Sequence, residues 1–274
     1  MKFWKMHGLG NDYVVIDNRN EKIGDADAAK LAKKLCERRF SVGADGLLLV
    51  SNSAVADAKM RIFNSDGSEA EMCGNGVRCF SKYCYENGIV SKSEFNVETL
   101  AGVKHVWLTI KNEGVKSVKI DMGAPSWNRD SLPMLGQGTF INEDLQVGEE
   151  NYKATCVSMG NPHCLIFVPN VDDHPVELVG PEIENAPAFP KRTNVGFVQV
   201  LNSKELKVRV WERGCGETLA CGTGASAAAA VANKLKKVGS KVTVHLRGGD
   251  LQVEIEEHVF LAGPAEKVFE GRLF

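Results

Sequence analysis

Two cysteines in this chain precede nearly identical glycine turns. Cys73 begins Cys-Gly-Asn-Gly, and Cys221 begins Cys-Gly-Thr-Gly. Each turn is predicted to open a helix, whose N-terminus carries unpaired N–H groups and partial positive charge, so we expect it to lower a thiol pKa and to hold a carboxylate. Inverting a stereocentre needs a base on one face of the carbon and an acid on the other. The pair therefore predicts epimerisation of an amino acid by proton transfer between two thiols.

The two cysteines occupy equivalent positions in a long internal repeat. Several segments of the first half recur in the same order in the second half: 10–16 and 160–166, Val42-Gly43 and Val195-Gly196, 73–76 and 221–224, Gly102 and Gly249, and 123–125 and 263–264. Matches at a nearly constant offset indicate two copies of one unit. We expect the units to span residues 1–117 plus 264–274 and residues 118–263, with the ligand cleft between them.

Hydrophobic periodicity predicts the same plan in both copies. Helices are predicted at 26–38, from Gly76 to Gly88 and at 223–237, the first with Asp25 or Asp27 as its N-cap. Strands are predicted at 59–63, 94–100, 103–111, 115–121, 163–168, 194–201, 205–212, 241–246, 251–256 and 258–262. Strands grouped around one principal helix per unit favour an α+β fold of two pseudo-symmetric units. The last segment, 266–274, is expected to dock on the first unit.

Composition excludes several classes of function. A formal net charge of −2 argues against a nucleic-acid partner. The N-terminus lacks the apolar stretch of a signal peptide, and no apolar run is long enough to span a membrane, which favours a cytoplasmic protein. Eight cysteines without a Cys-x-x-Cys pair predict reduced thiols and no zinc site. Most are expected to be small buried residues: Cys36, Cys79, Cys84, Cys156 and Cys164.

Several longer motifs make a family resemblance specific. They are 6–12 (MHGLGND), 43–46 (GADG), 63–68 (FNSDGS), 72–79 (MCGNGVRC), 158–163 (SMGNPH), 193–196 (TNVG), 211–214 (WERG) and 220–224 (ACGTG). Over essentially its whole length the chain resembles the diaminopimelate epimerases. The resemblance implies a mixed or antiparallel sheet rolled around a central helix in each unit. It also implies interconversion of LL- and meso-diaminopimelate for lysine and peptidoglycan-precursor synthesis, without pyridoxal phosphate or metal.

The resemblance assigns roles to individual positions. Cys73 and Cys221 are similar to the two proton-transfer groups, and the amides of Gly74, Asn75, Gly222 and Thr223 to the cradle of the reacting carboxylate. The remaining implied substrate contacts are Asn11, Asn64, Asn161, Asn194, Glu212 and Arg213. Such a set suits a substrate with two zwitterionic ends, because Arg213 can pair with the distal carboxylate and Glu212 with an ammonium. His163 and Glu212 also resemble residues that tune the thiols.

Two positions depart from relatives. Gly46 stands where some members carry a Gln that touches substrate, so that contact is missing or is supplied by another group. Phe269 stands where some relatives have a Tyr associated with dimerisation, which leaves a homodimer as an expectation.

Three other functions remain open from the sequence. A proline or hydroxyproline racemase shares the paired cysteines, although such enzymes tend to carry His where this chain has Asn75. A thiol redox or metal-binding protein would normally show Cys-x-x-Cys spacing. A non-catalytic amino-acid-binding module would tolerate loss of either Cys73 or Cys221.

Overall fold

The computed structural model describes residues 1–273 and divides into two compact units. The first comprises Met1–Asp121 with residues 262–273, and the second comprises Met122–Leu261. The expected domain boundaries, 117/118 and 263/264, lie a few residues from these limits. Phe274, included in the expected first domain, lies outside the described residues.

In chain order, two helices interrupt the series of strands in the first unit. Its helices are α1 (Asp25–Cys36) and α2 (Gly74–Glu86). Its strands up to Asp121 are β1 (Lys2–Gly8), β2 (Asn11–Asp17), β3 (Gly46–Ser51), β4 (Ala58–Asn64), β5 (Glu69–Ala70), β6 (Glu94–Thr99), β7 (Gly102–Lys111) and β8 (Gly114–Asp121).

The second unit follows the same order of elements. A 3-10 turn at Arg129–Ser131 precedes its helices, α3 (Val176–Glu184) and α4 (Gly222–Lys234). Its strands are β9 (Glu143–Val147), β10 (Glu150–Ser158), β11 (Pro162–Phe167), β12 (Asn194–Asn202), β13 (Glu205–Glu212), β14 (Gly216–Thr218), β15 (Lys241–Leu246), β16 (Gly249–Ile255) and β17 (Val259–Gly263). The chain then adds β18 (Glu266–Arg272), which pairs antiparallel with β1, so the last segment docks on the first unit as expected.

Strand pairing repeats between the units in both direction and register. In the first unit β2 runs parallel to β3 and β3 antiparallel to β4, with Tyr13 opposite Gly46. In the second, β11 runs parallel to β12 and β12 antiparallel to β13, with His163 opposite Asn194. Gly46 and Asn194 are therefore structural counterparts. The expected equivalence of Val42-Gly43 with Val195-Gly196 is wrong, because these registers place the match a few residues further along the first copy.

Each unit wraps its strands around one buried helix. Helix α2 contacts β1, β2, β3, β4, β7 and β8, whereas α4 contacts β10, β11, β12, β13, β15 and β16. Helix α2 buries Val77, Phe80 and Cys84. Helix α4 buries its alanines, whose small side chains let strands approach closely: Ala225, Ala227, Ala228, Ala229, Ala230 and Ala232. This arrangement confirms the predicted α+β class.

Two local predictions differ from the structure. Helix α1 is capped by Gly24, and Asp25 and Asp27 lie in its first turn, where their charges favour the positive end of the helix dipole. Helix α3 is absent from the sequence-based prediction because Pro181 lies inside it and interrupts the pattern of a helix-forming segment.

Candidate active site

Cys73 is the N-cap residue of α2. Its backbone is extended (φ −142°, ψ 121°), and its carbonyl accepts a hydrogen bond from the Val77 N–H at 2.9 Å. The thiol is partly exposed and bonds no N–H of the helix that follows it. The first turn, which starts with Gly74, therefore presents the positive end of the helix next to an accessible sulfur.

The Cys73 sulfur is hydrogen-bonded by a buried tyrosine. Tyr13, on β2, places its hydroxyl 2.9 Å from the Cys73 Sγ and 2.6 Å from the Asn11 Oδ1. Asn11 Oδ1 also lies 3.6 Å from Cys73 Sγ and accepts from Asn75 Nδ2 at 3.1 Å. The structure thus joins three predicted site residues, Asn11, Cys73 and Asn75, and adds a tyrosine that sequence reasoning missed, bonded to Cys73 and Asn11.

Charged groups fix the orientation of these amides. Asn11 donates its Nδ2 to Asp45 Oδ2 at 2.8 Å, which leaves its Oδ1 facing Tyr13. Asp45 in turn accepts from Arg38 at 2.8 Å. Beside it, burial opposes ionisation of Asp12, but hydrogen bonds from Lys5 and Arg38 outweigh that effect and lower the Asp12 pKa.

A fully buried arginine supports the other side of the turn. Arg78 donates to Asn75 Oδ1 at 2.9 Å and to the Pro264 carbonyl at 3.0 Å, while its second terminal nitrogen, Nη1, has no partner among the described residues. Burial lowers the pKa of Arg78. Its positive charge lies one turn into α2 and adds to the attraction of the helix N-terminus for an anion.

Gly46, the position without the Gln of some relatives, lies against the ring of Tyr13. A Cβ built there would lie 3.3 Å from Tyr13 Cε1 and 2.9 Å from the Phe63 carbonyl oxygen. The tyrosine ring therefore occupies the space that a side chain at residue 46 would enter.

Cys221 is the corresponding N-cap of α4, and it is buried. Its sulfur accepts a hydrogen bond from the Gly224 N–H at 3.3 Å and lies 3.5 Å from Thr223 Oγ1. Thr223 Oγ1 in turn accepts from Asn161 Nδ2 at 3.2 Å. Three predicted residues, Cys221, Thr223 and Asn161, are thus connected in the second unit.

Glu212 is the carboxylate next to Cys221. It hydrogen-bonds the thiol and accepts from Thr218 Oγ1 at 2.5 Å. Burial raises the pKa of Glu212 despite these two bonds. Burial and the charge of Glu212 raise the pKa of Cys221 well above its usual range. This shift is opposite to the expected lowering, because desolvation outweighs the helix N-terminus at this sulfur.

His163 occupies the same register position as Tyr13 but contacts an amide and not a sulfur. Its Nε2 lies 3.0 Å from Asn161 Oδ1. Because Asn161 turns its Nδ2 toward Thr223, its Oδ1 accepts and His163 Nε2 donates. Burial, with a contribution from Arg213, lowers the His163 pKa to about 3, so the imidazole is neutral near pH 7.

The remaining second-unit residues form a loop held by a buried carboxylate. Asn194 accepts from the Arg213 N–H at 2.9 Å and donates to the Pro162 carbonyl at 2.7 Å. Glu184, which sequence reasoning missed, accepts from the Gly214 N–H at 2.8 Å and from Trp211 Nε1 at 2.7 Å. The guanidinium of Arg213 is exposed and donates to the Lys191 carbonyl at 3.4 Å.

Asn64 is a predicted substrate contact whose hydrogen bonds do not join it to the groups around Cys73 or Cys221. Its Nδ2 donates to Ser68 Oγ at 3.0 Å, and its backbone N–H donates to the Ser68 carbonyl. It ends β4 opposite Gly46 and is exposed. The five cysteines expected to be buried are buried, with the pKa raised by burial at Cys36 to about 11 and at Cys79 to about 12.

The described residues offer neither a cluster of metal ligands nor a membrane-spanning helix. Within residues 1–273 no group of three or more His, Cys, Asp or Glu side chains is placed to hold a metal ion. In the same described part of the chain, no helix has the length and apolar character to cross a membrane.

Comparison with known proteins decides the family. The profile of the family described as diaminopimelate epimerase matches residues 3–128 and 155–268. The chain belongs to the diaminopimelate epimerase family. It is 52% identical over 275 residues to the diaminopimelate epimerase of Moorella thermoacetica, covering 99% of this chain and 98% of that protein. It is 53% identical over 274 residues to that of Pelotomaculum thermopropionicum, with the same coverage.

Solved structures share the fold at low sequence identity. A Bacillus anthracis protein of the phenazine biosynthesis PhzF family superposes with a TM-score of 0.74 and 18% identity, covering 100% of this chain and 99% of that one. A probable proline racemase from Agrobacterium radiobacter superposes with a TM-score of 0.72 and 15% identity, covering 100% and 92%.

Family membership carries an activity. Diaminopimelate epimerases are isomerases of lysine and peptidoglycan-precursor synthesis, and the family is cofactor-independent.

Proposed function

We propose that this chain interconverts LL- and meso-diaminopimelate by proton transfer at the α-carbon between Cys73 and Cys221. The observation that carries the proposal is that each cysteine is the N-cap residue of the buried helix of its own unit. Both sulfurs therefore lie next to first-turn N–H groups, which bind anions.

The step balances without an outside reagent. One thiolate takes the α-proton, so a C–H bond breaks and an S–H bond forms. The electron pair spreads into the carboxylate, where the first-turn N–H groups of both helices stabilise the added negative charge. The other thiol then protonates the opposite face of the carbon and becomes the thiolate. In the reverse direction the two sulfurs exchange roles.

The remaining predicted residues bind the charged groups of the substrate in this proposal. Gly74, Asn75, Gly222 and Thr223 supply amides to the reacting carboxylate. Asn11, Asn64, Asn161 and Asn194 supply amide donors and acceptors. Arg213 binds the distal carboxylate, and Glu212 binds an ammonium. His163 and Glu212 tune the thiols, Glu212 by its bond to Cys221 and His163 through Asn161 and Thr223.

The proposal extends to cellular location and assembly. We place the enzyme in the cytoplasm, where its eight free cysteines stay reduced. We also propose a homodimer in which β18 contributes to the interface, since Val268 and Phe269 expose apolar surface there. Sedimentation of the unaltered chain and of Phe269→Asp tests this. We expect the unaltered chain to sediment as a dimer and the variant as a monomer, and equal masses for the two would contradict the proposed interface.

The test of the chemistry is deuterium capture from D2O with LL-diaminopimelate as substrate. At low conversion we expect deuterium in the meso product and little in recovered LL substrate, because each thiol carries its own proton. A product that retained the substrate's hydrogen would contradict two-thiol transfer. Exchange on proline with none on diaminopimelate would favour the proline racemase alternative.

Single-cysteine variants complete the test. Cys73→Ala and Cys221→Ala should each lose about 10²- to 10⁴-fold in turnover. Calorimetry should still detect diaminopimelate binding. Cys84→Ala, which removes a buried thiol from α2, is the matched control and should retain turnover. Retained epimerisation in either site variant would contradict the two-thiol chemistry, whereas binding without epimerisation in the unaltered chain would support a binding module.

A further inference from the structure

The Tyr13 hydroxyl faces both a sulfur and an amide oxygen. It lies 2.9 Å from Cys73 Sγ and 2.6 Å from Asn11 Oδ1, and the side chain is only 4% exposed. A phenol has one proton to donate and lone pairs to accept with, so it cannot donate to both neighbours at once.

The surrounding bonds decide where that proton goes. Asn11 gives its Nδ2 to Asp45, so its Oδ1 can only accept. While Cys73 is a thiol, its S–H has two acceptors, Tyr13 Oη at 2.9 Å and Asn11 Oδ1 at 3.6 Å, and Tyr13 donates to Asn11. Once Cys73 has lost its proton, the phenol can turn its O–H to the thiolate, and Asn11 Oδ1 keeps the bond from Asn75 Nδ2.

This exchange suits a sulfur that alternates between acid and base. A hydrogen bond to an ionised sulfur is stronger than one from a neutral S–H, which is a weak donor. The phenol therefore stabilises the thiolate more than the thiol. It keeps its own proton throughout, because burial and the neighbouring Cys73 raise the pKa of Tyr13 well above its usual range.

Among the described residues, few other side chains face Tyr13 and Cys73. Gly46, opposite Tyr13 on β3, has no side chain and leaves room for the ring. The charged and titratable groups that face the pair are Asp45, before β3, and Arg78 and Cys79 on α2. Asp45 is hydrogen-bonded to Asn11 and Arg38, and Arg78 is hydrogen-bonded to Asn75. The hydroxyl of Tyr13 is the group that contacts the Cys73 sulfur at 2.9 Å.

We propose that Tyr13 is a positioning residue of the reaction: its hydroxyl orients the Cys73 thiol and donates to the thiolate when Cys73 acts as the base. The inference rests on the proposed function of Cys73 as a proton-transfer group. No substrate contact is assigned to Tyr13.

The test is Tyr13→Phe in the full chain, read out first without substrate. Alkylation of Cys73 by iodoacetamide, followed across pH by mass spectrometry of its peptide, measures how readily the thiolate forms. We expect the profile to move to higher pH by about one unit, making alkylation about tenfold slower at pH 7, because the charge-assisted bond is lost. Turnover should fall by a similar factor, with KM changed by less than about twofold.

Tyr83→Phe is the matched control, since it removes another buried hydroxyl of the same unit that bonds Asp17 backbone and not the sulfur. It should leave the Cys73 profile unchanged. If Tyr13→Phe matches the unaltered chain in this profile, or raises KM alone, the inference is wrong. Cys73→Ala separates the two proposals: retained epimerisation there refutes the proposed function, whereas its loss beside an unshifted Tyr13→Phe profile refutes only the role of Tyr13.

Discussion

The two thiol sites share a turn but differ in the group placed on the sulfur. Cys73 is partly exposed and meets the Tyr13 hydroxyl, which can accept or donate a hydrogen bond. Cys221 is buried and meets the Glu212 carboxylate, which when ionised only accepts. The duplicated turn therefore places hydrogen-bonding partners of unequal character on its two sulfurs.

This inequality suits an enzyme that needs a base and an acid at the same time. The raised pKa of Cys221 keeps that thiol protonated at neutral pH. In the proposed reaction a protonated Cys221 serves as the acid for the direction in which Cys73 takes the α-proton. In the reverse direction Cys221 takes the α-proton and Cys73 supplies the other proton, so the two sulfurs exchange roles.

Among variants that keep both cysteines, the largest expected loss of turnover comes from Glu212→Gln. Removing the charge removes a cause of the raised pKa of Cys221, so alkylation of Cys221 should shift to lower pH, the opposite direction from Cys73 in Tyr13→Phe. Turnover should still fall about 10- to 100-fold, because a charged hydrogen bond to the thiol is lost. Peptide-resolved alkylation and steady-state kinetics measure both.

Glu217→Gln is the matched control for that variant. This carboxylate is on the neighbouring β14 and is engaged with Arg209 and Arg247. It should leave the alkylation profile of Cys221 unchanged. A Glu212→Gln profile that moved to higher pH would mean that the carboxylate assists ionisation of Cys221, and the proposed contrast between the sites would fail.

The sequence predicted those site residues that belong to a local sequence pattern. It missed those that reach the site only through tertiary packing. The Cys-Gly-x-Gly turns are local, so both N-cap cysteines could be located from residue order. Tyr13 was missed because an isolated aromatic in a strand is typical of a core. Its signal was present nonetheless: in the repeat it aligns with His163, a residue already singled out. Glu184 had no comparable signal, since its partners come from distant β13 and its following loop.

His163 provides the next prediction, because it is the second-unit counterpart of Tyr13. Its pKa of about 3 lies below the ordinary value of 6.5, so between these pH values the unfolded chain binds a proton that the folded chain does not. Stability should therefore fall as pH drops below 6.5, by about 2 kcal/mol at pH 5 from this residue. Urea unfolding of the unaltered chain and of His163→Gln at pH 5 and 7.5 measures it.

In His163→Gln the loss of stability between pH 7.5 and pH 5 should be smaller by that amount. His105→Gln is the control, because His105 is a partly exposed imidazole on β7 bonded to Asn96 and Glu94. An equal pH dependence in His163→Gln and the unaltered chain would show that the buried imidazole takes up its proton without cost.

The fold was predictable to the extent that it repeats. Strand and helix order in the second copy follows the first, and periodicity located most of the paired strands. The register between β2 and β3 was not predictable, because apolar runs on both strands allow several alignments, as the misplaced Gly43 match shows. Helix α3 was hidden by Pro181, whose missing N–H is tolerated by packing of Val176, Val179 and Ile183 in the core.

The third helical residues of the two turns, Gly76 and Gly224, give the last comparison, in which Gly76→Ala has the smallest expected effect. A Cβ at Gly76 would meet Leu48, Cys73 and Ile62 at 3.4 to 3.5 Å, which is ordinary contact. At Gly224 it would lie 2.9 Å from Val210 and 3.3 Å from the Cys221 sulfur. Gly76→Ala should therefore be neutral or stabilising by up to about 1 kcal/mol, from helix propensity. Gly224→Ala should destabilise by about 1 to 3 kcal/mol and alter Cys221 alkylation. Urea unfolding of both variants measures the difference, and equal values would mean that the second turn yields as readily as the first.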